Sequence, residues 1–458
     1  MSKQFDAIIV GAGQAGPALA GRLTQAGQTV AYVERKLFGG TCVNTGCTPT
    51  KAMVASAYAA HVARRGAEYG VSSGPVSVDM KVVHARRDAI LMKSRTGVET
   101  SLRKNERCTV FVGTASFESA TTMRVGEELL EAKQIFLNVG GRATVPEMPG
   151  VHEVPYLTNT SLLALETVPK HLVIVGGSYI GIEFGQMYRR FGSEVTIIEK
   201  ASRLVAREDE DVSAAVKEIL EGEGIRVRLN AECIHMAPHE EGVSVGVNCD
   251  ASDDPSIGSH VLLAVGRTPN TQDLGLEKAG VAVDERGYIV VDDQLRTNVP
   301  GIYALGDCNG KGAFTHTAYN DFEIVTANLL DGDPRRVSDR IACYAMYMDP
   351  PLARIGMTER EVRATGKPAL IGTRPMTRVN RALEKGESLG FMKVLVDVET
   401  QKILGASLLG VGCDEAIHGL LDVMYADAPY TTISRAVHIH PTVSELIPTL
   451  LQGLKPLE

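Results

Sequence analysis

Two cysteines separated by four residues, Cys42 and Cys47, lie in the segment GGTCVNTGCTPTK at residues 39–51. Of the eight cysteines in 458 residues they are the only two close together, so thiol chemistry is sought there first. Pro49 suits the first position of a helix and residues 52–63 have helical composition, which predicts both thiols just before or within a first helical turn. The free amides and dipole of a helix start stabilise a thiolate and make it reactive near neutral pH. Four intervening residues can close a short disulfide loop. Structural metal sites more often join one C-x-x-C to a second such pair, and the sequence has no second pair. A metal site and two inert cysteines remain the less favoured readings.

The elements that must position this segment show up in an internal repeat. Residues 6–34, DAIIVGAGQAGPALAGRLTQAGQTVAYVE, align without gaps to residues 171–199, HLVIVGGSYIGIEFGQMYRRFGSEVTIIE, 165 positions on. Each copy reads as an apolar strand, a glycine-rich turn, a helix, a glycine, a second strand and a closing glutamate. Gly11 to Glu34 spans 23 residues, as does Gly176 to Glu199. This is the βαβ fingerprint of a dinucleotide site, present twice. In the first copy Gly11 permits the tight turn, Gly13 lets a pyrophosphate approach the backbone, and Gly16 lets helix and strand pack closely. The helix start offers its amides to phosphate, and Glu34 and Glu199 stand where a carboxylate accepts bonds from ribose hydroxyls. The second copy reads Gly176-Gly177-Ser178-Tyr179-Ile180-Gly181, with serine at the middle glycine. Serine adds only a small side chain, so nucleotide binding is expected there too.

Other strands end in functional punctuation. Residues 135–139 run into Gly140-Gly141-Arg142, and residues 261–265 run into Gly266-Arg267-Thr268-Pro269-Asn270, which makes Gly266 a candidate for the nucleotide crevice. Residues 301–307 form a strand that delivers Asp307 at its end. No low-complexity or linker-like stretch separates these pieces, so they are expected to pack closely.

Composition narrows the function classes. Apolar residues make up 44% and charged residues 22%, with 47 basic against 55 acidic side chains and a formal charge of −8. A mildly acidic chain without a basic block is not expected to bind nucleic acid. No apolar run approaches the length of a membrane span. The run at residues 7–10 is too short for a signal-peptide core and continues into glycines, so the expected location is the cytoplasm.

Taken together, the first fingerprint, G-G-T-C-V-N-x-G-C-x-P-x-K, the second fingerprint, the A-L-G-D string at residues 304–307 and His440-Pro441-Thr442-Val443-Ser444-Glu445 resemble the FAD-dependent pyridine nucleotide-disulfide oxidoreductases along essentially the whole chain. The resemblance implies an α/β architecture of two Rossmann-like domains, for FAD and NAD(P)H, plus an α+β dimerisation domain. The implied division is 1–149 for the first FAD segment, 150–272 for the NAD(P)H domain, 273–336 for the second FAD segment and 337–458 for dimerisation. By the same resemblance, Gly11, Gly13, Gly16 and Glu34 hold the ADP half of FAD, Thr41 and Lys51 approach the flavin and its phosphates, Thr114 and Ala115 lie near the adenine, and Asp307 binds the ribityl chain. Gly176, Gly181 and Glu199 bind the nicotinamide dinucleotide, and Glu183 lies near the nicotinamide and pairs with Lys51. Cys47 is the thiolate next to the flavin and Cys42 the thiol that exchanges with substrate. His440, oriented by Glu445, is the acid–base group and reaches the other subunit's site, so a homodimer is expected.

Specificity is less sharply written. Mercuric reductases resemble the cysteine segment but carry a C-terminal cysteine pair and lack the acid–base histidine, whereas residues 452–458 here contain no cysteine. Dihydrolipoamide dehydrogenase fits His440, Glu445 and Glu199. Residues 312–321, GAFTHTAYND, look more like the mercuric-reductase-like and reactive-chlorine-resistance flavoproteins. The expectation is therefore an FAD-dependent NAD(P)H oxidoreductase acting on a small disulfide or dithiol. The alternatives are a mercuric-reductase-like or a quinone or metal-ion reductase in which the cysteines are not the sole electron exit. A non-catalytic FAD-binding subunit has no need of Cys42, Cys47 and His440. Glu199 favours the free 2′-hydroxyl of NADH over the phosphate of NADPH, although Lys200 and Arg203 lie close by.

Overall fold

The computed structural model describes residues 2–247 and 254–458. Strand β1 (Ala7–Val10) consists only of apolar residues, the pattern of a strand covered on both faces, and all four are buried. It leads through helix α1 (Ala15–Gln25), whose Leu19, Ala20 and Leu23 face the sheet, to strand β2 (Val30–Glu34). β1 pairs in parallel with β2 and with Gln134–Leu137. Adding Cys108–Val112 beyond β2 and Ile302–Ala304 beyond Gln134–Leu137 completes a five-stranded parallel sheet. After β2 come a short helix α2 (Gly40–Asn44) and the long helix α3 (Cys47–Arg64).

The second copy repeats the pattern. Strand β3 (His171–Val175), helix α4 (Tyr179–Phe191) and strand β4 (Glu194–Ile198) lie in a four-stranded parallel sheet with Arg226–Arg228 at one edge and His260–Leu263 at the other. Two strands expected at residues 135–139 and 261–265 end earlier, at Leu137 and Leu263. There the chain leaves the sheet and opens the crevice that each fingerprint borders.

The C-terminal part is an antiparallel six-stranded sheet. Its first strand is β5 (Cys343–Met346), and helix Cys413–Tyr425 packs on the sheet with Ala416, Ile417 and Leu420 buried. The expected class, two Rossmann-like units plus an α+β unit, is the observed one. Close packing is seen as well. Met53 and Ala57 of α3 share one apolar cluster with Ile174 of β3, Phe184 of α4, Met346 of β5 and Leu409. A two-stranded ladder, Gly141–Ala143 with Arg267–Pro269, ties the two Rossmann-like units at their seam. Among the described residues no helix is long and apolar enough to cross a membrane.

Candidate active site

Each fingerprint builds its turn the same way. Gly11 has φ +102°, and a side chain there would meet the Asn138 carbonyl oxygen at 2.3 Å. Gly176 has φ +115° and the Ala264 carbonyl in the same place at 2.4 Å. Both are conformations that L-residues rarely adopt, next to backbone that cannot retreat. Glu34 accepts the Ala12 and Lys36 N–H groups, each at 2.8 Å, and Glu199 accepts those of Gly177 at 2.6 Å and Ala201 at 2.8 Å. The two carboxylates thus brace the loops and stand at the ends of their strands.

One continuous cavity of about 2520 Å³ joins both crevices. Gly11, Gly13, Glu34, Thr41, Lys51, Thr114, Ala115, Gly176, Glu183, Glu199, Gly266 and Asp307 all line it, together with both thiols. Gly16 and Gly181 are not in its wall. A Cβ on Gly16 would meet the Gly11 carbonyl at 2.6 Å, and one on Gly181 the Gly176 carbonyl at 2.0 Å, so these two set how closely helix and strand pack. Gly13 backs onto the Asn138 side chain, and a Cβ on Gly40 would come within 2.7 Å of the Gly13 Cα. The side-chain-free glycine backbone leading into α1 and a volume well beyond a drug-sized pocket of roughly 300–1,000 Å³ fit bound dinucleotides.

Cys42 is in α2, and Cys47 is the first residue of α3. Pro49 was expected at the first helical position and occupies the third. The first four amides of a helix have no partner within it, so proline is tolerated there just as well. The thiols are strongly unequal. The bond with neighbouring Cys47, and then burial, push Cys42 far above the ordinary thiol range. Cys47 is lowered to about 6, by its bond with Cys42 first, then by the Thr315 hydroxyl and the Lys51 ammonium, against the opposing effects of burial and Glu183. The Thr315 Oγ1 lies 3.3 Å from Cys47 Sγ. Their surroundings thus favour negative charge on Cys47 over Cys42.

Lys51, one turn along α3, pairs with Glu183 at 2.7 Å as expected. Glu183 also accepts the Tyr347 N–H at 2.8 Å, and the Lys51 ammonium stands 4.8 Å from the centre of the Tyr347 ring. Asp307 is pushed up by burial and held down in part by Arg267, whose Nε is 3.4 Å away. Glu199, Lys200 and Arg207 border the second crevice. Arg203 was expected to keep a 2′-phosphate acceptable, but it turns to Glu210 at 3.1 Å and to the Ala206 carbonyl instead.

His440 Nδ1 lies 2.9 and 3.0 Å from the two Glu445 oxygens, the expected pairing. Within one chain this pair does not border the cavity. The His440 side chain is 69% exposed, and its neighbours Val437 and Ile439 are 100% and 79% exposed. An imidazole oriented by a carboxylate thus stands on a bare apolar loop, away from its own thiols.

Four further residues escaped sequence reasoning. Asn138 is buried, accepts the Gly16 N–H at 3.2 Å and donates to the Leu305 carbonyl at 3.0 Å, which joins three loops of the first crevice. Thr315 touches Cys47, Arg267 touches Asp307, and Tyr179 opens α4 in the cavity wall. Thr315 and Arg267 lie in segments the sequence had singled out for other reasons. A lone asparagine after a strand carries no signal of its own.

The family described as pyridine nucleotide-disulphide oxidoreductase matches residues 5–321, and its dimerisation domain matches residues 343–451. The "probable pyridine nucleotide-disulfide oxidoreductase RclA" of Escherichia coli K12 is 36% identical, covering 99% of this chain and 100% of that protein. Dihydrolipoyl dehydrogenase of Chlamydia muridarum is 31% identical over 97% of this chain and 96% of its own length. Mercuric reductase of Streptomyces lividans is also 31% identical, over 97% and 94%. Among solved structures, the Cu(II) complex of the HOCl-induced flavoprotein disulfide reductase RclA from Escherichia coli superposes with a TM-score of 0.90 at 35% identity, covering 98% of this chain and 99% of that one.

Proposed function

The chain belongs to the pyridine nucleotide-disulphide oxidoreductase family, and from that premise we propose that Cys42 and Cys47 are its redox pair, with Cys47 the resident thiolate and Cys42 the exchanging thiol. The protein is an FAD-dependent NAD(P)H oxidoreductase acting on disulfides. When bound, FAD relays two electrons between the nicotinamide and the disulfide. The two thiols in one cavity wall with Lys51, and the Thr315 hydroxyl 3.3 Å from Cys47, carry the reading.

In the reducing direction, two electrons and one proton convert the Cys42–Cys47 disulfide to a Cys47 thiolate and a Cys42 thiol. Lys51 and the Thr315 hydroxyl hold the charge on Cys47. Cys42, with its proton retained, needs a base before it can attack. Loss of that proton to the partner subunit's His440 makes Cys42 the nucleophile. A Cys42–substrate bond forms as the substrate disulfide breaks, and the leaving thiolate takes the proton back. Cys47 then attacks Cys42 Sγ, restoring the internal disulfide and releasing the second thiolate. The exposed His440–Glu445 pair on an apolar loop and the dimerisation domain favour a homodimer in which each subunit completes the other's site.

Four assignments accompany this reading. Gly11, Gly13, Glu34, Thr41, Thr114, Ala115 and Asp307 serve the FAD, with Gly16 shaping its crevice. Gly176, Glu183, Glu199 and Gly266 serve the nicotinamide nucleotide, with Gly181 shaping its crevice. NADH is preferred, because the Glu199 carboxylate stands at the end of β4. The division at residues 149, 272 and 336 is favoured by sheet membership, with Arg267–Pro269 at the seam.

Anaerobic titration with NADH tests the mechanism. A long-wavelength absorption appearing at two electrons per flavin, and missing in Cys47→Ser, is the expected result. Direct bleaching without that band would sink the disulfide route and turn attention to quinones and metal ions. A metal-ion acceptor has support of its own in the Cu(II) complex of the RclA relative. It predicts that Cys42→Ser loses disulfide reduction yet keeps NADH-driven reduction of quinones or metal ions.

A further inference from the structure

Strand β5 belongs to the C-terminal sheet, yet it reaches both sides of the cavity. The Tyr344 hydroxyl donates to Glu208, a carboxylate with 0% exposure. Glu208 Oε1 also accepts the Tyr179 hydroxyl at 3.2 Å, and its Oε2 faces the buried Arg354 at 3.4 Å. Tyr344 is therefore linked through one buried charge to the aromatic ring that opens α4. Tyr179 shares a helix face with Glu183, four residues on, and Glu183 holds Lys51. Tyr179 lines the same cavity as the second fingerprint, Lys51 and both thiols.

The Tyr344 ring makes a second connection. It stacks on Phe314 at 5.4 Å and 15°, and Phe314 stacks on His316 at 5.3 Å and 10°. The His316 Nε2 is 2.7 Å from the Cys343 carbonyl, again on β5. Thr315, between these two clamped rings, is the residue whose hydroxyl meets Cys47. The other groups facing that thiol are Cys42 from α2, Lys51 from its own helix and Glu183 from α4.

We propose that Tyr344 is a positioning residue for both sides of the site: its hydroxyl, through Glu208, fixes Tyr179 of the second fingerprint, and its ring, through Phe314, fixes the Thr315 hydroxyl against Cys47. The Tyr344 ring also packs on Tyr179 at 5.4 Å and 53°, so removing the hydroxyl alone isolates the first arm, whereas removing the ring disturbs both. This inference rests on Cys47 being the resident thiolate.

The experiment uses the FAD-loaded protein in a Cys42→Ser background, with two readouts. Calorimetry measures binding of NAD+, and the pH dependence of iodoacetamide alkylation measures the Cys47 thiolate midpoint. Tyr344→Phe weakens NAD+ binding by about three- to tenfold and leaves the midpoint unchanged. Tyr344→Leu weakens binding similarly and also raises the midpoint by about half a pH unit or more, because Thr315 is no longer held. A general loss of packing would instead move both readouts in both variants. NAD+ binding within twofold of the parent in Tyr344→Phe overturns the hydroxyl arm, and an unmoved midpoint in Tyr344→Leu overturns the ring arm. If the reduced protein with Cys42 intact shows no thiolate below the ordinary thiol range, the Cys47 assignment fails first, and the two failures are told apart.

Discussion

The two fingerprints are the same device at two levels of restraint. β1 and β3 each end in a left-handed glycine under a neighbouring carbonyl, and each closing glutamate takes the N–H one residue after that glycine and the N–H two residues after itself. They part at one facing position. Val10 pairs with Leu137 and Val175 with Leu263, so Asn138 and Ala264 occupy matching places beside the two turns. Asn138 reaches into its turn, bonds Gly16 and Leu305, and leaves no room for a Cβ at Gly13, where the distance to its Oδ1 would be 2.8 Å. Ala264 reaches nowhere, and its turn carries Ser178 where the first carries Gly13. The serine and the alanine explain one another. The braced turn suits a cofactor that stays, and the open one suits a nucleotide that must come and go.

Breaking the shared part of the device gives the largest effects. Alanine at Gly11 or Gly176 combines a left-handed backbone with a carbonyl contact, a penalty of about 2–4 kcal/mol. Gly11→Ala is expected to purify with little flavin, and added FAD should raise its melting temperature less than that of the parent. Gly176→Ala is expected to keep its flavin and lose tenfold or more in NAD+ affinity. Flavin absorbance per chain and calorimetry distinguish the two. Equal flavin loss in both variants would mean that the two crevices are not functionally separate.

How much of this was legible beforehand follows the same division. The shared glycines and the closing glutamates were readable because backbone geometry demands particular residues at particular spacings, whereas the Lys51–Glu183 pair, 132 residues apart, came only with the family resemblance. Pro49 was misplaced by two positions because any of the first helical turns' free amides can be given up, so composition does not fix where α3 begins. The contacts of Asn138, Thr315 and Tyr344 were not readable, although Thr315 lies in a segment the sequence had marked. Each acts through a contact across 122 residues or more, to Gly16, Cys47 and Glu208 respectively, and no local pattern announces such a contact. His440 and Glu445 were readable as a string, but one chain leaves them facing outward.

Nucleotide choice gives a middle-sized effect and sharpens the contrast between the two glutamates. Glu199→Gln removes the charge while its amide oxygen still accepts one of the two loop N–H groups. NADPH should gain on NADH by about tenfold, since the 2′-phosphate no longer faces a carboxylate and Lys200 and Arg207 remain in the wall. The ratio of kcat/KM for the two nucleotides reads this directly. An unchanged ratio would remove Glu199 as the discriminating group and leave the two cations to be tested.

The smallest expected effect is the most pointed test of the comparison. Ser178 is the N-cap of α4 in an extended conformation (φ −104°, ψ −172°), and its side chain makes no capping bond. Its removal therefore takes away no hydrogen bond, and glycine at an N-cap costs only about a few tenths of a kcal/mol. If the serine is merely tolerated because Ala264 leaves room for it, Ser178→Gly changes NAD+ affinity by less than about twofold. If the hydroxyl instead holds the nucleotide, affinity falls several-fold and Ser178→Ala falls with it. The second result would turn the departure from the glycine pattern from a permitted change into a gain of contact, and the open turn would then bind by a side chain where the braced turn binds by backbone.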